Sequence, residues 1–123
     1  MVELHLGLVF AVRDRDGRML PPEHLHDQAA QLMAALLDLE KCNDGMKDPA
    51  TASDATSGEV TVEVCVAATS DLHALGLAQS LARTAIHTIG GSTPNWPPAP
   101  TSAADSRTDF RPTQTQIEYV CLV

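Results

Sequence analysis

Hydrophobic residues alternate with polar or small residues in two stretches of the chain, one at its start and one near its middle. In the first stretch, apolar side chains recur at every second position from Val2 to Val12. In the second stretch, the same period of two extends from Val60 to Ala68. A period of two is typical of a strand that buries one face, so each stretch predicts a half-buried strand. The positions expected to face the core are Leu4, Leu6, Leu8, Phe10, Val60, Val62, Val64 and Val66.

Two other segments repeat apolar residues at spacings of three and four, which is typical of a helix with one buried side. The first segment, residues 22–40, begins at a proline that suits the first helical turn. The second segment, residues 71–89, follows Ser70 as its N-cap and precedes Gly90, which suits the left-handed conformation of a C-terminal cap. The sequence therefore predicts two helices.

The remaining segments have weaker patterns. Residues 50–55 predict an edge strand, which a turn at residues 56–58 joins to the valine-rich strand as a hairpin. Residues 92–113 are rich in proline and predict a long loop without regular structure. Residues 116–123 predict a last strand that is apolar on both faces.

The order of these elements predicts one α+β domain over residues 1–123 with the ferredoxin-like split βαβ arrangement (βαββαβ). Its four-stranded, antiparallel-containing sheet has the last strand beside the first, the first beside the third, and the second at an edge. Both helices are expected on one face of the sheet. Because the loop at residues 92–113 is long, we also consider that the last strand is exchanged with a neighbouring copy.

The sheet face without helices is expected to be too apolar to remain in contact with water. Its candidate partner-binding or ligand-binding residues are His5, Val9, Cys65, Val120 and Leu122. An exposed apolar patch is typical of a binding surface, and a second copy of the chain is the simplest partner. The sequence therefore predicts a homo-oligomer, a dimer or higher, joined through sheet faces or edges.

Three functional hypotheses follow from this architecture. The leading one is a non-catalytic interaction or regulatory module that self-associates through its β-sheet. The alternative is a small-molecule-binding regulatory domain with the ligand at the dimer seam, which predicts polar gaps near His5 and Gly7. A small enzyme is the third hypothesis.

The charge balance restricts the partners. The chain has 123 residues with 16 acidic and 8 basic side chains, and its net charge is −8. Nucleic acids and anionic membranes are bound through Lys and Arg, so neither is expected as a partner. No apolar run approaches the roughly 20 residues of a membrane-spanning helix. The sequence lacks a basic segment ahead of its first apolar run, and its three cysteines have no C-x-x-C spacing, so a cytoplasmic protein with reduced thiols is expected.

The residues that usually carry metal or catalytic chemistry lack the necessary spacing. The five histidines include no pair four residues apart, the spacing with which a helix holds zinc. Neither a G-x-S-x-G elbow nor a phosphate-binding glycine pattern is present. The predicted sheet makes Cys65 and His5 neighbours, which is the one arrangement from which nucleophilic catalysis can be argued. No metal, cofactor or catalytic residue is therefore predicted.

The segment from Ala85 to Trp96 has the pattern A-I-H-x-x-G-G-x-T-P-x-W. Together with the valine-rich strand before it, this segment resembles small proteins of actinobacteria and their phages over residues 60–97. That family has no established activity, so the resemblance implies a ferredoxin-like fold and no catalytic residue.

Two interpretations of this segment remain open. Trp96 and Pro94 belong either to a partner or ligand site, with the loop at residues 92–113 offered to a protein, or to a lid over the sheet or helix end. His87, in the last helical turn, is either part of that site or a partner for the terminal carbonyls and the helix dipole.

Overall fold

Seven elements of secondary structure form the described part of the chain. The computed structural model describes residues 2–93 and 108–122, with side chains described as far as Gln116. The elements are β1 (Val2–Asp14), α1 (Pro22–Cys42), β2 (Met46–Asp54), β3 (Glu59–Ala68), α2 (Asp71–Thr88), β4 (Gly91–Ser92) and β5 (Thr108–Leu122). Their order is the predicted one with the short strand β4 added.

The two helices begin where the capping pattern indicates and end within two residues of the predicted positions. α1 begins at Pro22, whose missing N–H is no loss in the first helical turn. α2 begins after Ser70, whose Oγ accepts a 3.1 Å hydrogen bond from the backbone N–H of His73. After α2, Gly90 has a φ of 84°, in the left-handed region. Neither helix in the described residues is long and apolar enough to cross a membrane.

β1 lies in the middle of a five-stranded sheet with the order β2-β3-β1-β5-β4. It pairs antiparallel with β3 and β5, and β2 pairs antiparallel with β3, so the four long strands have the predicted order. The prediction of a four-stranded ferredoxin-like sheet is nevertheless wrong. Gly91 and Ser92 add a fifth strand parallel to β5, and the mixed sheet curls into a half-barrel. Register shifts in two ladders favour this curl, because a bulge bends and twists its strand.

The core lies between the sheet and the helices, which pack on the same face as predicted. α1 contacts β2, and α2 contacts β1, β3 and β4. All the predicted core residues of β1 and β3 are at most 2% exposed. The helices add Leu25, Leu32, Leu36, Ala74, Ala78, Ala82 and Ile86. Phe110, which was predicted to lie in a loop, is also fully buried, and its ring meets that of Phe10 edge to face at a centroid distance of 6.3 Å.

β5 begins at Thr108, eight residues before the predicted start of the last strand. The predicted loop at residues 92–113 is therefore wrong for its last six residues and for Ser92, which lies in β4. The first half of β5 pairs with β1 without an apolar alternation, because the pairing uses backbone groups. Pro112 is tolerated beside the bulge at Thr113, where the ladder is already interrupted.

Residues 94–107 lie outside the described residues, and with them Pro94 and Trp96. The two interpretations of those side chains therefore remain predictions. From Thr108 to Leu122, β5 pairs with β1 of its own chain. The hypothesis that a neighbouring copy receives the last strand is wrong for this structure.

A second bulge in β5 lies between Ile117 and Tyr119, where the register against β1 shifts by one residue. Beyond the bulge, Val120 pairs with Leu4 and Leu122 pairs with Val2. The side chains at positions 120 and 122 lie outside the described ones, so their place on the face without helices stays a prediction.

β2 starts four residues before the predicted edge strand and is attached to α1 by two polar contacts. The hydroxyl of Thr51 donates a 3.0 Å hydrogen bond to the backbone carbonyl of Ala29. The side chains of His26 and Ser53 are also hydrogen-bonded to each other. α1 therefore holds this strand through side chains as well as through apolar packing.

Replacing Gly91 by alanine is expected to destabilise the fold. A Cβ at this position would lie 2.8 Å from Cγ2 of Ile86 and 2.9 Å from Cε1 of Phe110, and both of these residues are fully buried. Overpacking a closed core costs about 1–3 kcal/mol, so the urea concentration at half-unfolding should fall for Gly91→Ala.

Gly76→Ala is the matched control, because Gly76 lies in α2 and a Cβ there meets no atom within 4 Å. Alanine is favoured over glycine inside a helix by about 0.5–1 kcal/mol, so this variant should be more stable than the wild type. An unchanged midpoint for Gly91→Ala would contradict the close approach of β4 to Phe110.

Candidate functional site

The open face is the side of the sheet opposite the two helices. It consists of Glu3, His5, Gly7, Val9 and Ala11 in β1 and of Glu59, Thr61, Glu63, Cys65 and Ala67 in β3. His5 pairs directly with Cys65, and Val9 lies on the same face four residues further along β1. The structure thus brings together three of the predicted site residues.

A polar cluster links three strands at one end of the open face. Glu3 Oε1 accepts a hydrogen bond from Cys65 Sγ at 3.3 Å and lies 3.0 Å from Lys47 Nζ. The ammonium of Lys47, followed by the thiol of Cys65, lowers the pKa of Glu3 below its ordinary value. The carboxylate of Glu3 in turn raises the pKa of Lys47. Glu3 and Lys47 therefore form an ion pair that connects β1 to β2 across β3.

A second polar pair lies beside this cluster. His5 Nε2 is 3.8 Å from Oε2 of Glu63, and the His5 side chain is 16% exposed against 42% for Glu63. The two side chains form an ion pair when the imidazole is protonated. Further along β1, Gly7, Val9 and Ala11 carry no charge. Charged residues return at the far end of the face, where Glu59 of β3 and Arg111 of β5 both pair with Ala11. The open face is therefore polar at both ends and uncharged in between, at Val9 and Thr61.

Cys65 is directly opposite His5, but the pair is not arranged for nucleophilic catalysis. The thiol donates its hydrogen bond to Glu3, and Cys65 is only 2% exposed. Burial, together with the neighbouring carboxylate, raises the pKa of Cys65 to about 11. A nucleophilic cysteine needs a lowered pKa and solvent access, so this thiol has the properties of a structural side chain.

His87 and Thr93, the histidine and threonine of the A-I-H-x-x-G-G-x-T pattern, contact each other. His87 Nε2 and Thr93 Oγ1 share a hydrogen bond of 3.1 Å, and Thr93 is 6% exposed. The left-handed Gly90 reverses the chain between them. Burial, and secondarily the charge of Arg83, lower the pKa of His87. This geometry favours the structural interpretation of His87, in which it fastens the chain that follows α2.

The same segment is fastened to β5 by a second polar contact. Ser92 Oγ donates a 2.7 Å hydrogen bond to Asp109 Oδ1, and Asp109 also lies 3.7 Å from the guanidinium of Arg111. Together with the tight packing of Gly91 on Phe110, this contact joins β4 to β5. Each described part of the pattern therefore has a role in joining α2, β4 and β5.

Metal ligands are not brought together in the part of the chain that the structure describes. Within residues 2–93 and 108–122, no group of three or more His, Cys, Asp or Glu side chains is placed to hold an ion. His26 is engaged with Ser53, and His73 Nδ1 lies 3.1 Å from the hydroxyl of Thr69. Both histidines therefore contact a hydroxyl group of a nearby serine or threonine.

Sequence reasoning missed Glu3, Lys47, Thr93 and Asp109. Glu3 alternates with core residues of β1, so the pattern does place it on the open face, although nothing in the pattern indicates its partner. Nothing in the sequence pattern placed Lys47 in the sheet, because β2 was expected to start after it. Thr93 and Asp109 were assigned to the loop at residues 92–113, where no pairing was expected.

Cys65 is expected to resist alkylation in the folded protein. At pH 8 a thiol with a pKa of about 11 is ionised in roughly one molecule in a thousand, and its burial excludes the reagent. Cys42 is exposed near the end of α1 and serves as the internal reference. Mass spectrometry of iodoacetamide-treated protein should find Cys42 modified well before Cys65, and Cys65 modified after unfolding in urea. Equal rates in the folded protein would contradict the assigned burial of the thiol.

The burial of His87 is expected to make stability dependent on pH. The pKa of His87 is lowered from its ordinary value of 6.5 in the folded protein, so the unfolded chain binds the proton first as the pH falls. This contribution is complete above the ordinary pKa and is lost as the pH falls through it toward the folded value.

Urea denaturation at several pH values between about 5 and 8 tests this dependence. The difference in unfolding free energy between the wild type and His87→Gln should become smaller toward pH 5. The matched control is His24→Gln on the exposed side of α1. A difference for His87→Gln that is constant with pH would show that the imidazole titrates alike in both states.

Comparison of the chain with protein-family models, with curated protein sequences and with solved structures found no match. The similarity to small proteins of actinobacteria and their phages therefore remains a prediction from the pattern at residues 85–96. Any functional conclusion has to come from the geometry of the sheet.

Proposed function

We propose that this protein is a non-catalytic interaction module that self-associates through its β-sheet. One observation carries the proposal. Both helices lie on one face, and no helix or strand among the described residues covers the open face. Globular domains usually bury both faces of a sheet of this size or leave one face strongly polar. A second copy of the chain, joined through sheet faces or edges, is the simplest partner for such a sheet.

The charge distribution supports this choice of partner. The chain has a net charge of −8, so most surfaces of two copies repel each other. In the middle of the open face, Val9 of β1 pairs with the uncharged Thr61 of β3. At one end of the face the carboxylate of Glu3 is paired with Lys47, and at the other end Glu59 and Arg111 both pair with Ala11. Acidic and basic side chains therefore occur together at both ends, which limits like-charge repulsion between two copies on this face.

A ligand site at a dimer seam and a catalytic site receive less support from the same geometry. The polar groups that a small molecule would need are already in contact with one another, as in the pair of Glu3 and Lys47. The remaining catalytic candidate, Cys65, has a raised pKa and is buried. We therefore place self-association before ligand binding and catalysis.

Static light scattering tests the proposal directly. Between about 1 and 100 µM protein in roughly 0.15 M salt, the mass should approach twice the 13.1 kDa of the chain and should fall on dilution. A mass of 13.1 kDa over the whole range would overturn the proposed function. Repeating the measurement in higher salt separates apolar and backbone contacts, which persist, from surface ion pairs, which weaken.

A further inference from the structure

The two edges of the sheet differ in how well they are protected from other strands. β2, at one edge, has a register shift between Lys47 and Ala50. Within the shift, Asp48 has a φ of 54° and Pro49 offers no N–H. Irregular backbone, charges and proline are the features with which natural edge strands avoid pairing with another chain. These features interrupt the first half of this edge, and beyond them Thr51 and Ser53 are hydrogen-bonded to α1.

β5, toward the other edge, is covered over two residues. β4 pairs with Thr108 and Asp109. From Phe110 onward, no other strand among the described residues pairs with the outer side of β5. An antiparallel strand directs alternate N–H and C=O groups to each side, so this outer side presents backbone donors and acceptors in a row.

The side chains along this edge protect only its start. Residues 111–116 are all exposed, and no helix packs on them. Arg111 is the single charged residue among them, and it lies 3.7 Å from Asp109. The ladder with β1 has one register shift at Thr113 and another just after Ile117. The residues between these two shifts pair regularly with β1. Arg111, Pro112 and the bulge at Thr113 interrupt the start of this edge, and the short segment that follows, residues 114–117, is regular and uncharged.

The sequence along this edge is complementary to itself. Residues 113–116 read T-Q-T-Q. When a strand pairs antiparallel with a copy of itself about a two-fold axis at Gln114 or Thr115, threonine faces threonine or glutamine faces glutamine. Cross-strand pairs of this kind form hydrogen bonds and stabilise a ladder. A second copy thus matches this edge in length, polarity and charge.

We infer that two copies of the chain pair antiparallel through residues 113–116 of β5 and continue the sheet across a two-fold axis. This inference rests on the proposed self-association and specifies where it occurs. Edge pairing places the two open faces side by side on one continuous sheet. It does not stack them against each other, so residues such as Val9 stay outside the contact.

Two charge variants at Thr115 test the inference. Thr115 is exposed and pairs with Leu8, so its position is on the helix side of the sheet and away from the open face. Thr115→Lys or Thr115→Glu brings like charges together near the axis, and each should weaken dimerisation about tenfold or more. An equimolar mixture of the two variants should recover dimers, because opposite charges then face each other. Thr56→Lys, in the exposed turn between β2 and β3, is the matched control and should dimerise as the wild type does.

Light scattering of these proteins, with Val9→Lys as the open-face variant, separates the outcomes. Dimers that persist in both Thr115 variants but dissociate in Val9→Lys would overturn the edge inference and leave the proposed self-association intact. A wild type that is monomeric at every concentration would overturn both. Circular dichroism establishes that each variant is folded. Pro112→Lys and Pro112→Glu, at an exposed position that pairs with the core residue Phe10 and so also lies on the helix side, provide a second test if the Thr115 variants unfold.

Discussion

Phe110 is the side chain through which the last strand is joined to the rest of the molecule. It is fully buried, its ring meets Phe10 of β1 edge to face, and its Cε1 and Cδ1 atoms lie 2.9 and 3.0 Å from the position that a Cβ on Gly91 would take. Burying one phenylalanine stabilises a fold by about 1.5–3 kcal/mol. Among residues 108–116, it is the one large apolar side chain in the core. β1, β4, β5 and the end of α2 therefore converge on a single ring.

The burial of Phe110 explains how β5 is held in the sheet. Once Phe110 is fixed, the backbone continues along β1 even though every side chain from Arg111 to Gln116 is exposed. The hydroxyl of Thr113 donates a 3.1 Å hydrogen bond to the carbonyl of Val9, which compensates for the irregular pairing at the bulge. Backbone hydrogen bonds hold this part of the strand, and burial contributes little. A strand of this kind has polar side chains and keeps one edge accessible.

The elements that periodicity identified are those in which side-chain burial decides the structure. The alternation in β1 and β3 and the stripes on both helices correspond to residues that are buried, so their prediction succeeded. The T-Q-T-Q segment carries no such signal, because its place in the sheet is decided by the backbone of β1, which pairs on both sides. The bulge after Ile117 could not be predicted from the sequence pattern either, since one extra residue changes the register of a strand without changing its composition. Contacts such as Glu3 with Lys47 depend on where β2 starts, which the sequence pattern placed too late.

The central place of β1 has a consequence for how the chain folds. Val2 pairs with Ala68 on one side and with Leu122 on the other, so both neighbours of the first strand come from far along the chain. During synthesis, β1 leaves the ribosome before either partner strand exists. The apolar side chains of β1 therefore stay unburied until β3 and the helices have been made. Closing the largest loop, from β1 to β5, is a non-local step of the kind that slows folding. Until that step, the side of β1 that later receives β5 is open to any other unfinished chain.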